Sequence, residues 1–311
     1  MSRLRSLLAG CALAFALAGC AGLPAPAGDA VRLDATPRIA VMSAFAPELT
    51  LLSARLQNPR KHSVNGVDFT TGTLEGKPVV LFLSGVSMVN AAMTTQLALD
   101  RFQVSHIVFS GIAGGVNPQL HVGDVTVPAQ WGQYLEVLMA RETAPGKFAV
   151  PAWMTDATGM ANFGMLHPRP VSVRSATPPG VARKFWFEAD PAMLEVARRV
   201  GNVELEHCKA GTCLQRKPQL VVGGNGVSGQ AFMDNKAFRE YTFATFQANV
   251  LDMETAAVGH VAFANGVPYI AFRSLSDLAG GGEGANEMGT FMGIAADNSA
   301  RVLLAFLAAW K

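Results

Sequence analysis

Apolar runs separated by helical periodicity organise the chain from Arg38 onward. "RIAVMSA" is a short apolar run that predicts a strand, and Pro47 opens "PELTLLSARL", where Leu49, Leu52 and Leu56 recur at helical spacing. "GVDFTTGTLEGKPVVLFLSG" predicts a hairpin, two β-rich runs around a glycine-containing turn. "SMVNAAMTTQLALDRF" predicts a helix, and "SHIVFSGIAGG" a strand that runs into a glycine turn. "GDVTVPAQW", "QLVVGGNGVSG", "NVLDME" and "PYIAFRSLSD" predict further strands, with helices after the last two; "FMGIAADNSARVLLAFLAAW" closes the chain as an amphipathic helix. Strands alternating with helices predict an α/β domain with a largely parallel or mixed sheet covered on both faces. Between Tyr134 and Lys217 this rhythm breaks into Pro-, Gly- and charge-rich sequence with one helical stretch, "PAMLEVARRVG". Residues 135–217 are therefore read as an insertion within a single domain spanning 38–311.

The N-terminus has a different pattern. Basic Arg3 and Arg5 precede an apolar run too short for a comfortable membrane span, and the run ends in Leu17-Ala18-Gly19-Cys20. This resembles the lipobox of bacterial lipoproteins, which implies a signal peptide over 1–19 and lipidation of Cys20. Residues 20–37, rich in Pro, Ala and Gly, are expected to be a flexible tether. The expectation is an exported protein attached to a membrane by its lipid alone, in the outer membrane facing the periplasm if the cell is Gram-negative. Cys20→Ser should then move the protein to the soluble fraction; unchanged partitioning on fractionation would contradict the anchor.

Cysteine and charge narrow the field. Beyond Cys11 and Cys20 only Cys208 and Cys213 remain, close together in "EHCKAGTCLQR", and an oxidising compartment favours a disulfide between them. With His207 they fall short of a zinc set, so no metal is expected. The chain has 25 basic and 23 acidic residues; without Arg3 and Arg5 the balance is even, which argues against nucleic acid as partner. The remaining length, about 275 residues, suits one large α/β domain.

In such folds ligands collect beyond the carboxyl ends of the strands. The polar residues at those ends are Glu48, Ser84, Ser110, Ser228, the Asp252-Met253-Glu254 triplet and Ser276-Asp277. Buried carboxylates cost several kcal/mol unless paired, so acids in this apolar setting mark either element ends or chemistry.

Four fragments in order, "IAVMSAFAPELTLL", "SGIAGGVNPQLHVGDVTVP", "VSGQAFMDN" and "VLDMETAAVGHVAFANGVPYIAFRSLSD", resemble the nucleoside phosphorylase superfamily, and most nearly its methylthioadenosine/S-adenosylhomocysteine nucleosidases. The resemblance implies a three-layer α/β/α sandwich with a mixed, partly barrel-like sheet. It also implies roles: Glu48 activates the attacking water, Asp277 protonates the purine, Met253 and Glu254 grip the ribose, and Phe232 stacks on the base. Ser276 accompanies Asp277, and Ser84, Gly114 and Asp252 are expected around the substrate. No cofactor is implied, and a homo-oligomer is expected.

Cleavage of an N-glycosidic bond needs these residue types. Positive charge builds on the sugar while electrons flow into the base, so one acid must supply a proton and another carboxylate must steer water. Phosphorylases of the superfamily hold phosphate with arginines near the first strand and the glycine turn. "VMSAFAPE" has no arginine, and Ile112 stands at the turn position that is small or hydroxylated in them. Water is therefore the expected nucleophile. The segment after "VPAQW", starting Tyr134 and Glu136, does not match the family and leaves the base and 5′ specificity open. A lipid-anchored nucleoside-binding protein of the storage type, or a phosphorylase, are the alternatives.

Overall fold

The computed structural model describes residues 32–154 and 159–311. The leader, Cys20 and the first part of the tether lie outside the described residues. Strand β1 (Asp34–Ser43) starts inside the 20–37 segment, so the folded domain begins four residues before Arg38. Arg38 closes this start by pairing with Asp34 at 2.5 Å.

The first half of the domain follows as α1 (Ala46–Arg55), β2 (Gln57–Val64), β3 (Val67–Leu74), β4 (Lys77–Leu83), α2 (Met88–Arg101) and β5 (Phe102–Gly115). Next come β6 (Val125–Val127), β7 (Gln130–Gln133), β8 (Trp186–Glu188), α3 (Pro191–Arg199), β9 (Leu220–Val222) and β10 (Asn225–Ser228). The chain ends with α4 (Lys236–Phe246), β11 (Ala248–Asp252), α5 (Thr255–Asn265), β12 (Tyr269–Asp277) and α6 (Met288–Ala309).

Twelve strands form one mixed sheet in the order β8-β7-β10-β11-β5-β1-β4-β3-β2, with β12 paired to β5 and β6, and β6 to β9. β1 runs parallel to β4 and β5, and β12 runs parallel to β5. The long β5 changes partner along its length. Its glycine end turns antiparallel to β11, with Gly114 opposite Leu251 and Gly115 opposite Val250. That switch curls the sheet and brings the ends of β1, β5, β11 and β12 together.

Helices cover both faces. α2 and α5 bury alanines and valines against one face, with Phe69, Phe82 and Phe109 beneath them. On the other face α1, α3 and α6 pack around Leu52, Met193, Phe272 and Phe306. The architecture is the expected three-layer sandwich. α6 is long and apolar enough to cross a membrane, yet Val302, Leu303, Phe306 and Leu307 are wholly buried in this core. Each such side chain contributes about 1.5–3 kcal/mol by leaving water, so burial in the core accounts for the apolarity of these positions.

The insertion is less separate than its composition predicts. β8 pairs with β7 in the main sheet, and Phe187, Met193 and Ala197 are core residues. The hairpin of Val171–Ala176 paired with Pro179–Lys184 packs on α5, with Val173 in the core and Ser175 Oγ donating to the Phe263 carbonyl at 3.2 Å. A further small hairpin joins Cys208 and Cys213 in a disulfide. It is held to α6 by Lys209, which pairs with Asp297 and donates to the Gly293 carbonyl at 3.4 Å.

Candidate active site

A cavity of about 270 Å³ opens where β1, β5, β11 and β12 end. Its walls are mostly apolar, with Phe45, Ile112, Phe232, Met233, Met253 and Met288 around a few acids. Glu48, Glu254 and Asp277 all line it.

Glu48 sits in the first turn of α1, where Pro47 needs no amide partner and the helix dipole favours an acid. Its side chain turns inward and is 2 % exposed. Oε2 accepts the Ala44 N–H at 2.7 Å and the Phe45 N–H at 3.4 Å, and Oε1 accepts the Ile112 N–H of β5 at 2.7 Å. Burial pushes its carboxyl above the ordinary range, and Arg273 and the three amides oppose that rise. The result is a carboxylate with enough basicity to take a proton from water.

Arg273, in the middle of β12, is wholly buried. Its guanidinium reaches Asp252 at 2.8 Å, Glu254 at 3.4 Å and Glu48 at 3.8 Å, and it lies 4.1 Å over the Phe109 ring. One cation thus holds three carboxylates, and it offsets part of the desolvation cost of each alongside their hydrogen bonds. Gly111 makes room: a Cβ there would lie 2.0 Å from Arg273 Nη1 and 2.5 Å from Glu48 Oε1. Gly111→Ala must therefore displace the charged cluster. We expect it to cost on the order of 2 kcal/mol of stability and most of the activity; a variant that melts and turns over like the parent would contradict this packing.

Glu254 closes the cluster at the start of α5. Its Oε1 accepts the Ser87 N–H at 2.9 Å, an amide aimed by Ser87's left-handed backbone (φ 82°). Such a conformation costs about 1–3 kcal/mol in a non-glycine residue and persists only where its surroundings hold it. Burial raises the Glu254 carboxyl to about 7, with the neighbouring Asp252 and Glu48 charges adding to the rise and Arg273 opposing it.

Asp277 ends β12. Its Oδ1 accepts from Ala279 N at 2.8 Å and Asn286 Nδ2 at 3.4 Å, and its Oδ2 lies 2.9 Å from Ser276 Oγ. Burial is the main cause of a raised carboxyl pKa here, which favours a proton-donating acid.

The phosphorylase superfamily model matches residues 38–308. The chain belongs to this superfamily. Among its curated relatives is a 5′-methylthioadenosine/S-adenosylhomocysteine nucleosidase of Marinomonas sp., 31% identical over 266 residues, covering 85% of this chain and 96% of the relative. The nucleosidase of the same name from Halalkalibacterium halodurans is 29% identical over 272 residues, covering 87% of this chain and 97% of the relative. In fold the chain matches the Colwellia psychrerythraea nucleosidase in complex with adenine (TM-score 0.67, 24% identity, 88% and 96% covered). It also matches the futalosine hydrolase of Helicobacter pylori (TM-score 0.64, 22% identity, 87% and 97% covered). These relatives are nucleosidases and a hydrolase.

Within this superfamily fold, Glu48, Gly114, Phe232, Met253, Glu254, Ser276 and Asp277 come together around the cavity. Phe232 is 54 % exposed at the mouth, a free aromatic face. Of the other residues singled out from the sequence, Ser84 has different surroundings and Asp252 has a supporting place. Ser84 faces a separate groove beside α1 and bonds the Gly85 carbonyl at 2.9 Å; the nearby Ser87 contributes to the site, through its backbone. Asp252 lines the cavity and also bonds Ser228, Glu254 N, Thr255 and Arg273, so it braces the site from within. Sequence reading missed Arg273, whose signal was a lone cation inside the apolar run "PYIAFRSLSD", and it missed the apolar lining by Phe45, Met233 and Met288.

Proposed function

We propose that this protein hydrolyses the N-glycosidic bond of a purine nucleoside, with a 5′-modified adenosine such as 5′-methylthioadenosine as substrate. The relatives' names supply that substrate class. The observation that carries the hydrolytic reading is the state of Glu48. Its carboxylate occupies the backbone amides at the ends of β1 and β5, and the cation beside it, Arg273, is already committed to three acids. A phosphate dianion would meet negative charge there, whereas water meets a base.

In this reading Glu48 takes a proton from water as the oxygen bonds to C1′. The C1′–N9 bond breaks, its electrons enter the purine, and Asp277 gives its proton to N7. Glu254 holds the ribose hydroxyls and stabilises the cationic sugar. Phe232 covers the base. The apolar lining by Phe45, Ile112 and Met288 suits a 5′ group without a hydroxyl. Free base and free sugar leave.

The lipid anchor at Cys20 belongs to the same proposal, supported by the Leu17–Cys20 motif and by a disulfide suited to an oxidising compartment. A homo-oligomer does too, supported by the exposed apolar row Val86, Val89 and Met93 beside the cavity.

Initial rates on 5′-methylthioadenosine and adenosine test the substrate assignment. We expect kcat/KM to favour the methylthio compound by roughly 10-fold or more. Equal rates, or a preference for the 5′-hydroxyl, would contradict it.

A further inference from the structure

Asp277 has a neighbour that the proposed chemistry does not use. Asn286, just before α6, places Nδ2 3.1 Å from Asp234 Oδ1 and 3.4 Å from Asp277 Oδ1. A side-chain amide has two hydrogens to give, one for each carboxylate. Its own Oδ1 accepts the Met288 N–H at 2.9 Å. One side chain therefore ties together the end of β12, the loop that carries Phe232 and Met233, and the first residue of α6. Those segments also touch directly. A Cβ on Gly280, whose φ is 85°, would lie 2.4 Å from Asn235 N.

The bonds on Asp277 are unequal. Oδ1 faces two obligate donors, Ala279 N and Asn286 Nδ2, so a proton there would meet two others. Oδ2 faces only Ser276 Oγ, a hydroxyl that can accept as well as donate and that also lies 3.5 Å from the Ala113 carbonyl. The proton of the acid therefore belongs on Oδ2.

We propose, resting on the function assigned above, that Asp234 and Asn286 are positioning residues for the acid: Asn286 fixes which oxygen of Asp277 carries the proton, and the Asp234 charge favours its protonated form. The second carboxylate adds to the rise that burial causes. Other charges are differently committed. Arg239 on α4 bonds the Gly115 carbonyl at 2.9 Å and packs on Gly281, Glu287 lies near Gly282, and Arg273 serves Glu48, Asp252 and Glu254.

The test is kcat/KM against pH for the full protein, with 5′-methylthioadenosine, for two variants predicted to move in opposite directions. Asp234→Asn, an isosteric change at an exposed position, should lower the basic limb by about half a pH unit at low ionic strength. The shift should shrink in salt, with KM and Tm unchanged. Asn286→Ala removes a donor from the Asp277 carboxylate, so its basic limb should rise while kcat falls roughly tenfold through lost positioning. A carboxyl NMR titration of Asp277 makes the same comparison without turnover, so the inference is tested even if this nucleoside is not cleaved. A basic limb and an Asp277 titration both unmoved in Asp234→Asn would overturn it; absence of turnover in the parent would instead count against the proposed function.

Discussion

Arg273→Met should unfold or nearly unfold the domain at pH 8 and spare much of it at pH 5. The guanidinium is the shared partner of Glu48, Asp252 and Glu254, all buried. Removing one partner of a buried ion pair costs about 3–5 kcal/mol, a large part of the 5–15 kcal/mol that holds a typical domain. The sign of the pH effect follows from Glu254. Its folded pKa, about 7, lies above the ordinary 4.5, so its contribution to stability is fully present below 4.5 and is lost as pH rises through 7. Losing Arg273, which opposes that rise, widens the window. Denaturant melts at the two pH values would show it. Equal loss at both would mean that the clustered charge is not what the arginine holds in check.

Glu48→Gln should keep the fold and substrate affinity but lower kcat by roughly 10²-fold or more, because an amide cannot take the proton of water. The side chain is isosteric, though its new NH2 group must face either the Ala44 N–H or the Ile112 N–H, so some stability is lost as well. Asp277→Asn should fall at least as far, having no proton for the departing base. In the parent, Glu48 must be ionised and Asp277 protonated, and burial raises both. Activity should therefore rise with pH through the Glu48 value and fall through the Asp277 value, with both limbs above the ordinary carboxylate range. Glu48→Gln should remove the Glu48 part of the acid limb and leave the part due to Glu254, whose carboxyl titrates at about 7 and steadies the cationic sugar when ionised. Undiminished turnover in either variant would remove that residue from the chemistry.

Much of this site was legible because it is built at element ends. Glu48 follows Pro47 in a first helical turn, and Glu254 and Asp277 stand where apolar strands stop, so period and punctuation located them. Arg273 was hidden for the opposite reason: it lies inside a strand, and an apolar run reads as core whatever single charge it contains. The bracing contacts of Asp252 could not be read from the sequence, because its partners, Ser228, Thr255 and Arg273, come from three elements. Ser84 illustrates how close position is not orientation, since it is the backbone N–H of nearby Ser87 that bonds Glu254. In the fold, β2 was invisible: "QNPRKHSV" is polar and mostly exposed, an edge strand defined by its hairpin with β3 through Asn65-Gly66. Helix α4 was masked by aromatic and β-branched residues, and "QLVVGGNGVSG" breaks into β9 and β10 where Gly223 and Gly224 take positive φ. The Pro- and Gly-rich composition of 135–217 concealed β8, while the helical stretch "PAMLEVARRVG" is α3; the few apolar side chains of both complete the core.

The account turns on water as the nucleophile. Incubating the protein with 5′-methylthioadenosine in heavy-oxygen water, without phosphate, and following free adenine and the mass of the released sugar tests this most directly. The account predicts stoichiometric adenine and one heavy oxygen on the sugar, with no acceleration when phosphate is added. Adenine appearing only with phosphate, together with a sugar 1-phosphate, would contradict it, as would tight nucleoside binding with no release of base.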